Sequence, residues 1–375
     1  MPGVVGSRMS PRLTPALRAL LREGAERAEA AGEVDREALT ALRTSGLLAT
    51  AVPTEHGGAG QDAAAVNALV EQIAAVSPSM AIIAFQHFAV SARIADWGTA
   101  RQQARWLPRL ADGTWLAASA WSESGAGAAK QNLSTTAERR TDGTWVLNGS
   151  KAFTTGAGVA DLYLVLVRTA RPDAAPAAGY GAPGQTFFLV GADNPGLVPE
   201  LGLDLAGMRG SATGLVSLDG AVVADTDRLG PEGQAATVIA SVRESGASLG
   251  AVSVGTAQAA LDLAVAHAHD RGLMDLPAVR HRLVGLATRL EAARAVVERA
   301  GARTSADPGL TTLHSKLHAT EAAEEICLDV ARMLGSAGYR DGARIGRLLA
   351  DARGVSLMGP TNDLCRELVA VSWTG

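Results

Sequence analysis

The periodicity of the apolar residues changes twice along this chain of 375 residues, and the two changes constrain the fold more than any other feature. From Leu13 to about residue 115, apolar residues recur at the spacing of amphipathic helices. Between residues 116 and 231 the pattern changes to short runs rich in β-branched residues, separated by Gly, Asp, Asn and Pro. Runs of this kind are typical of an antiparallel β domain.

Helical periodicity returns after Pro231 and continues to the C-terminus. The segment ATVIASVRESGASLGAVSVGTAQAALDLAVAHAH (236–269) is predicted as one long helix, and three further helices follow it. The fold class that we predict is therefore α+β. Its three domains are an N-terminal helical domain at 1–115, a middle antiparallel β domain at 116–231 and a C-terminal four-helix bundle at 232–375.

Composition excludes several classes of protein. With 47% hydrophobic and 19% charged residues, the chain has the composition of a globular protein. Its net charge of −4 and its lack of a long Lys/Arg run argue against a nucleic-acid partner or an anionic membrane surface. The N-terminus lacks the apolar core of a secretory signal, and no apolar run approaches the ~18 residues that span a bilayer. We therefore expect a cytoplasmic protein.

The Cys and His residues do not indicate a metal site. Cys327 and Cys365 supply neither a disulfide framework nor a cluster of ligands. His314 and His318 are spaced i, i+4 in a helical segment and could share a face, but no nearby carboxylate completes a metal-binding motif. We therefore expect no metal.

Five motifs, taken in order, resemble those of the acyl-CoA dehydrogenase family of flavoproteins. They are LLATAVPTEHGGAG, WLPRLADGTWLAASAWSESGAG, WVLNGSKAFTTGAGVADLYLVLVRT, GMRGSATGLVSLDGAVV and MLGSAGY, and they extend over nearly the whole chain. The resemblance implies an acyl-CoA dehydrogenase-like fold and a flavin-dependent oxidoreductase. The cofactor would be FAD, with FMN as the alternative because the loop after Arg271 is short and lacks the family's Phe-Gly.

The same resemblance implies the partners of the protein. The substrate would be a small-molecule acyl thioester, carried by CoA or by an acyl or peptidyl carrier protein. Electrons would pass to an acceptor, or arrive from a flavin reductase. The protein would be a homodimer or homotetramer assembled through the C-terminal bundle.

The resemblance also assigns residues to the site. Gly-rich turns let backbone N–H groups approach a flavin ring or a phosphate closely. Phe153 would lie beside the ring, and Thr155 near its N5 atom. The implied cofactor-binding residues are Trp121, Ser122, Gly127, Phe153, Thr154, Thr155, Arg271, Gly335, Thr361 and Asp363. The implied substrate-cavity residues are His87, Ala128 and Gly359, and the alternative for His87 is a core histidine.

The stretch VSLMGPTNDL (355–364) departs from the family pattern. Gly359 stands where the family has the glutamate that takes the acidic α-proton of the acyl thioester, and glycine cannot accept a proton. Some relatives carry this base on the helix that opens the bundle, at the position of Ser245. Glu244 is the nearest carboxylate, and we predict it as the catalytic base; the alternative is a surface glutamate that pairs with Arg243.

Two further departures concern the substrate. Gly246 stands where the family has an arginine that grips CoA, and Ala128 replaces a serine that contacts the substrate. These changes favour a thioester on a carrier protein, or a free small molecule, as the substrate. The function that we predict is α,β-desaturation of an acyl thioester in specialised metabolism by a flavin-dependent dehydrogenase or oxidase. A flavin monooxygenase on the same scaffold and a non-catalytic subunit are the alternatives.

Overall fold

The N-terminal part of the chain is helical, and its helix starts are encoded locally. The computed structural model describes residues 11–125, 133–170, 181–201 and 203–373. Each of the first five helices begins after a Ser, Thr or Asp whose side chain accepts a hydrogen bond from the first turn. These helices are α1 (Pro15–Ala31), α2 (Arg36–Thr44), α3 (Ala63–Ala74), α4 (Pro78–Trp97) and α5 (Ala100–Ala111).

The middle of the chain forms one sheet. Its strands are β1 (Ala117–Ala120), β2 (Thr136–Arg139), β3 (Trp145–Thr154), β4 (Leu162–Arg168), β5 (Gln185–Gly191), β6 (Leu197–Glu200), β7 (Gly214–Val223) and β8 (Arg228–Leu229). The strand order is β6-β7-β3-β2-β4-β5-β8, and β1 also pairs with β4. Most pairs are antiparallel, as predicted, but β4 runs parallel to both β1 and β2. The sheet is therefore mixed, because the long connection between β1 and β4 permits parallel pairing.

The C-terminal part is helical again, with one difference from the prediction. Its helices are α6 (Ala235–Glu244), α7 (Gly250–Asp270), α8 (Pro277–Ala302), α9 (Pro308–Leu334), α10 (Arg344–Leu357) and α11 (Asn362–Val371). The prediction of a single long helix over 236–269 is wrong, because the helix is interrupted between α6 and α7. Gly246 has a φ of 84° there, and a Cβ at this residue would lie 2.3 Å from the carbonyl oxygen of Ala300. Helices α7 to α10 form the bundle, and α6 and α11 pack against α9.

Two kinds of core hold these parts together. Buried apolar side chains of α3 and α4 share one cluster with those of the bundle, so the two helical parts have a common core. The sheet is buried on both faces: Leu164 and its alternate neighbours in β4 pack towards α4 and α5, and Tyr163 and Val165 pack on the opposite side. Double burial explains why β4 is a continuous apolar run rather than an alternating one. No helix within the described residues is long and apolar enough to cross a lipid bilayer.

Candidate active site

A buried ion pair joins the two segments that carry most of the predicted flavin contacts. Lys151, within β3, donates from Nζ to Oε1 of Glu123 at 2.7 Å, and the two side chains are 0% and 4% exposed. The Glu123 carboxylate also accepts from the backbone N–H and hydroxyl of Ser134 at 2.7 and 2.6 Å, and from the backbone N–H of Thr135 at 3.1 Å. Glu123 therefore fixes the chain just after β1 to the chain just before β2, and both to β3.

The ionisation of this pair follows from its surroundings. Burial would raise the pKa of Glu123, but the charge of Lys151 and the hydrogen bonds from Lys151, Ser134 and Thr135 outweigh it and hold the pKa at about 2. Burial lowers the pKa of Lys151 to about 8, although the charge and hydrogen bond of Glu123 oppose that shift. Both groups are thus charged near neutral pH. Neither residue was singled out from the sequence, although a charged residue inside a buried strand is a signal that could have found Lys151.

The end of β3 has an unusual local geometry. The pairing of β3 with β7 is irregular between Lys151 and Thr154, and Phe153 adopts a φ of 53° with 63% of its surface exposed. The Thr154 hydroxyl is buried and has no hydrogen-bond partner among the described residues. The Thr155 hydroxyl lies 3.2 Å from that of Thr213. Non-glycine residues with positive φ are uncommon and cluster at functional sites.

These residues fit a flavin. The exposed side chain of Phe153 can cover one face of a flat, ring-shaped ligand. The buried Thr154 hydroxyl, which has no partner among the described residues, can gain a hydrogen bond from the polar groups of such a ligand. Ser122 is held beside β3, where its carbonyl accepts from the backbone N–H of Ala152 at 2.8 Å. Trp121, Ser122, Phe153, Thr154 and Thr155 are therefore supplied by two adjoining segments. Gly127 and Ala128 lie outside the described residues.

A cavity of about 460 Å³ lies between α4, the end of α6 and the loop at 51–63. Helix α4 contributes Phe85, Phe88 and Arg93 to its wall. Val242 of α6 and Ser245, which directly follows α6, form a second side, and the loop at 51–63 covers another. Arg93 connects the cavity with the predicted flavin edge, because its guanidinium carbon lies 5.3 Å from the centre of the Trp121 ring. The volume and the largely apolar wall are those of a small-molecule site.

Two predicted residues lie away from this cavity. His87 is fully buried on the side of α4 that packs against β1, where its Nδ1 accepts from the backbone N–H of Ala117 at 3.4 Å, and burial lowers its pKa to about 4. Glu244 is exposed, and its carboxylate lies against Gly309 at the start of α9. One residue corresponds to ~100° of helical rotation, so Ser245 faces the cavity while Glu244 does not. The assignments of His87 and Glu244 remain predictions that their positions do not support.

The remaining predicted residues lie at or near the ends of the C-terminal helices. Thr361 caps α11, and its hydroxyl accepts from the backbone N–H of Leu364 at 3.3 Å. Asp363 is exposed and pairs with Arg366 at 2.7 Å. The other three are exposed: Arg271 at the end of α7, Gly335 at the end of α9 and Gly359 between α10 and α11. Their contacts with cofactor or substrate remain predictions.

A helix–sheet–helix chain with a flavin-compatible strand end beside an apolar cavity has the features of a flavin-dependent oxidoreductase. The chain belongs to the acyl-CoA dehydrogenase family. The family's models for the N-terminal, middle and C-terminal domains match residues 16–114, 118–221 and 236–373, respectively.

Individual relatives are similar over most of the chain. An acyl-CoA dehydrogenase of Bacillus subtilis is 30% identical over 355 residues, which are 92% of this chain and 92% of that protein. An L-prolyl-[peptidyl-carrier protein] dehydrogenase of Pseudomonas fluorescens is 31% identical over 337 residues, 87% of each chain. A solved structure of an FAD-dependent dehydrogenase superimposes with a TM-score of 0.82 and 28% identity, and the match covers 98% of this chain and all of that one.

Proposed function

We propose that the protein binds FAD at the end of β3 and uses it to dehydrogenate an acyl thioester at its α and β carbons. The proposal rests on the largely apolar cavity, whose wall residue Arg93 lies against Trp121, and on the hydrogen bond that joins the next residue, Ser122, to Ala152 of β3. FAD, when bound, would accept the hydride that leaves the β carbon. The residues that would hold it are Trp121, Ser122, Phe153, Thr154 and Thr155, together with Gly127, Arg271, Gly335, Thr361 and Asp363 by family resemblance.

We further propose that the thioester is carried by a protein rather than by CoA. An arginine at position 246 is incompatible with the local backbone, because Gly246 has positive φ and its missing Cβ would meet the carbonyl oxygen of Ala300. Among the described residues of the cavity wall, three carboxylates (Glu55, Asp62 and Asp96) face a single guanidinium. This excess of negative charge in the wall disfavours binding of the negatively charged phosphates of CoA. One relative is an L-prolyl-[peptidyl-carrier protein] dehydrogenase, which supports the same substrate class.

The reaction needs a group that accepts the α-proton. Of the three carboxylates in the wall, Asp62 already caps α3 by accepting from the backbone N–H of Ala65 at 3.0 Å. Burial raises the pKa of Asp96, although the charges of Arg93 and Arg303 oppose the shift. A raised pKa suits a carboxylate that takes a proton near neutral pH. Asp96 therefore joins Glu244 as a candidate for the base.

The proposal is tested by mixing the FAD-loaded protein with thioesters in the absence of oxygen. The same acyl group is presented on CoA and on a carrier protein, and the visible absorption of the flavin is recorded. We expect bleaching with the carrier-bound thioester and formation of the α,β-unsaturated acyl group. Flavin that remains oxidised with both forms would overturn the proposal, and hydroxylated product formed only with reduced flavin and oxygen would identify a monooxygenase instead.

The base is tested in the same assay with three variants. Asp96→Asn and Glu244→Gln each remove one candidate carboxylate, and Glu298→Gln, an exposed glutamate of α8, is the matched control. Loss of a general base slows proton transfer by about 10²- to 10⁴-fold. The variant whose bleaching slows by this factor identifies the base, and wild-type rates in both variants would exclude both residues.

A further inference from the structure

Helix α9 presents three polar side chains beneath the turn that joins α10 to α11, which we call the α10–α11 turn (357–361). Lys316 donates from Nζ to the carbonyl of Ser356 at 3.2 Å and to Oδ1 of Asn362 at 2.7 Å. One helical turn further on, Thr320 accepts from the Asn362 amide at 3.0 Å. A further helical turn along α9, Glu324 accepts a hydrogen bond from the Ser356 hydroxyl. Both ends of the turn are therefore tied to one face of α9.

The central contact is a buried ammonium group. Lys316 is only 3% exposed, and its two hydrogen-bond acceptors are uncharged oxygens on either side of the α10–α11 turn. Within the described residues Lys316 forms no ion pair, and burial lowers its pKa to about 8, so it is still charged at neutral pH. An ammonium removed from water depends strongly on its remaining acceptors, because losing one leaves a buried charge unsatisfied.

The choice of lysine is informative because lysine is rare in this chain. Only three of the 34 basic residues are lysines, and the two that the structure describes, Lys151 and Lys316, are both buried. A compact ammonium on a flexible stem can reach acceptors in a closed space where the planar guanidinium of arginine requires more room. Lys316 and Lys151 therefore both occupy buried positions at which their ammonium groups join two segments of the chain.

Helix α10, which precedes the α10–α11 turn, is also connected to the candidate flavin site by hydrogen bonds. Asp351 of α10 accepts from the backbone N–H of Met208 at 2.6 Å. The segment that begins at Met208 continues to Ser211 and Thr213, whose hydroxyls lie 2.7 Å apart, and Thr213 contacts Thr155. A continuous set of hydrogen bonds and backbone therefore connects α10 with the end of β3.

We propose that Lys316 is a positioning residue that fixes the α10–α11 turn, and with it Gly359 and Thr361, at the flavin site. Because Gly359 has no side chain, the turn can present only backbone groups at that point, and their placement depends on what holds the turn. The inference rests on the proposed function in one respect, namely that a flavin binds beside this turn.

The test compares Lys316→Met with Thr312→Val. Thr312 lies one turn earlier on α9, is similarly buried, and donates to the carbonyl of Arg243 rather than to the turn. For each variant we would measure the Kd for FAD by fluorescence, hydrogen exchange of the backbone amides at 357–364, and the thermal unfolding midpoint. We expect Lys316→Met to raise the Kd about tenfold or more and to accelerate exchange at 357–364, while Thr312→Val changes neither.

A second variant keeps the test decisive if Lys316→Met does not fold. Asn362→Ala removes one acceptor of Lys316 from the half-buried end of the turn, and the same changes are expected at smaller size. A lower unfolding midpoint with unchanged Kd and unchanged exchange at 357–364 would overturn the proposal. A wild-type protein that binds no FAD would refute the proposed function, while the exchange measurement would still decide whether Lys316 fixes the turn.

Discussion

Removing the charge of Lys151 is the perturbation whose consequences the structure defines best. Lys151→Met keeps a long apolar side chain in β3 but leaves the Glu123 carboxylate without a counter-ion in a buried site. Breaking a buried ion pair in this way costs about 3–5 kcal/mol. Glu123 retains its hydrogen bonds from Ser134 and Thr135, so we expect the lower end of that range, about 3 kcal/mol.

The assay is chemical denaturation of the apo-protein, with matched controls. Arg332→Met breaks an exposed ion pair with Asp329, which typically contributes about 0–1 kcal/mol. The double variant Glu123→Gln/Lys151→Met removes both charges, and we expect it to be more stable than Lys151→Met because no unpaired buried charge remains. FAD affinity should fall in Lys151→Met and remain at the wild-type value in Arg332→Met, because Glu123 and Lys151 hold both segments of the flavin site.

Acid unfolding provides an independent measure of the same pair. The pKa of Glu123 in the folded protein is about 2, below its ordinary value of 4.5. Its contribution to stability is therefore complete above about pH 4.5 and is lost as the pH falls towards 2. In Lys151→Met the loss of stability on acidification should be smaller, because the main positive charge that holds the pKa of Glu123 low is gone. A variant as stable as Arg332→Met, with the acid slope of the wild type, would refute the role of the pair.

Three further predictions concern single residues. Thr154→Val should stabilise the apo-protein by about 1–3 kcal/mol, because it removes a buried hydroxyl that has no partner in the described part of the chain, and it should weaken FAD binding. Thermal denaturation with and without FAD measures both effects. Gly246→Ala should destabilise the protein by more than about 1 kcal/mol in urea denaturation, since its φ is 84° and the new Cβ would contact a carbonyl oxygen. With Asp96 as the base, the rate of flavin bleaching should rise as the pH passes through the raised pKa of Asp96, because the carboxylate form increases. Asp96→Asn should abolish this rise, which stopped-flow measurements across the pH range would record.

The order of the elements could be predicted from the sequence because it depends on local periodicity. The change from helical to β-type patterns is visible without any knowledge of contacts, and burial on both faces explains the apolar run of β4. The break at Gly246 was missed because glycine is tolerated inside a helical pattern. The space at Gly246 is limited by the carbonyl oxygen of Ala300, 54 residues later in the chain, and local periodicity carries no information about that contact.

Part of the site could be predicted from the sequence because its residues are close together along the chain. Phe153 and Thr154 lie in a motif that can be recognised along the chain, and the structure gives them an exposed ring and a buried hydroxyl without a partner. The prediction for Glu244 depended on the rotation of a helix, and an error of one residue turns a side chain by ~100°. The pair of Glu123 and Lys151 joins residues 28 positions apart, so only the folded chain reveals that they meet.

We propose that this fold holds a flavin close to a cavity for an acyl thioester. The most direct test is to load the protein with FAD and mix it, without oxygen, with an acyl group attached to a carrier protein. We expect that the visible absorption of the flavin is lost and that the acyl group becomes α,β-unsaturated. Flavin that stays oxidised across a panel of carrier-bound and CoA-bound acyl groups would contradict it.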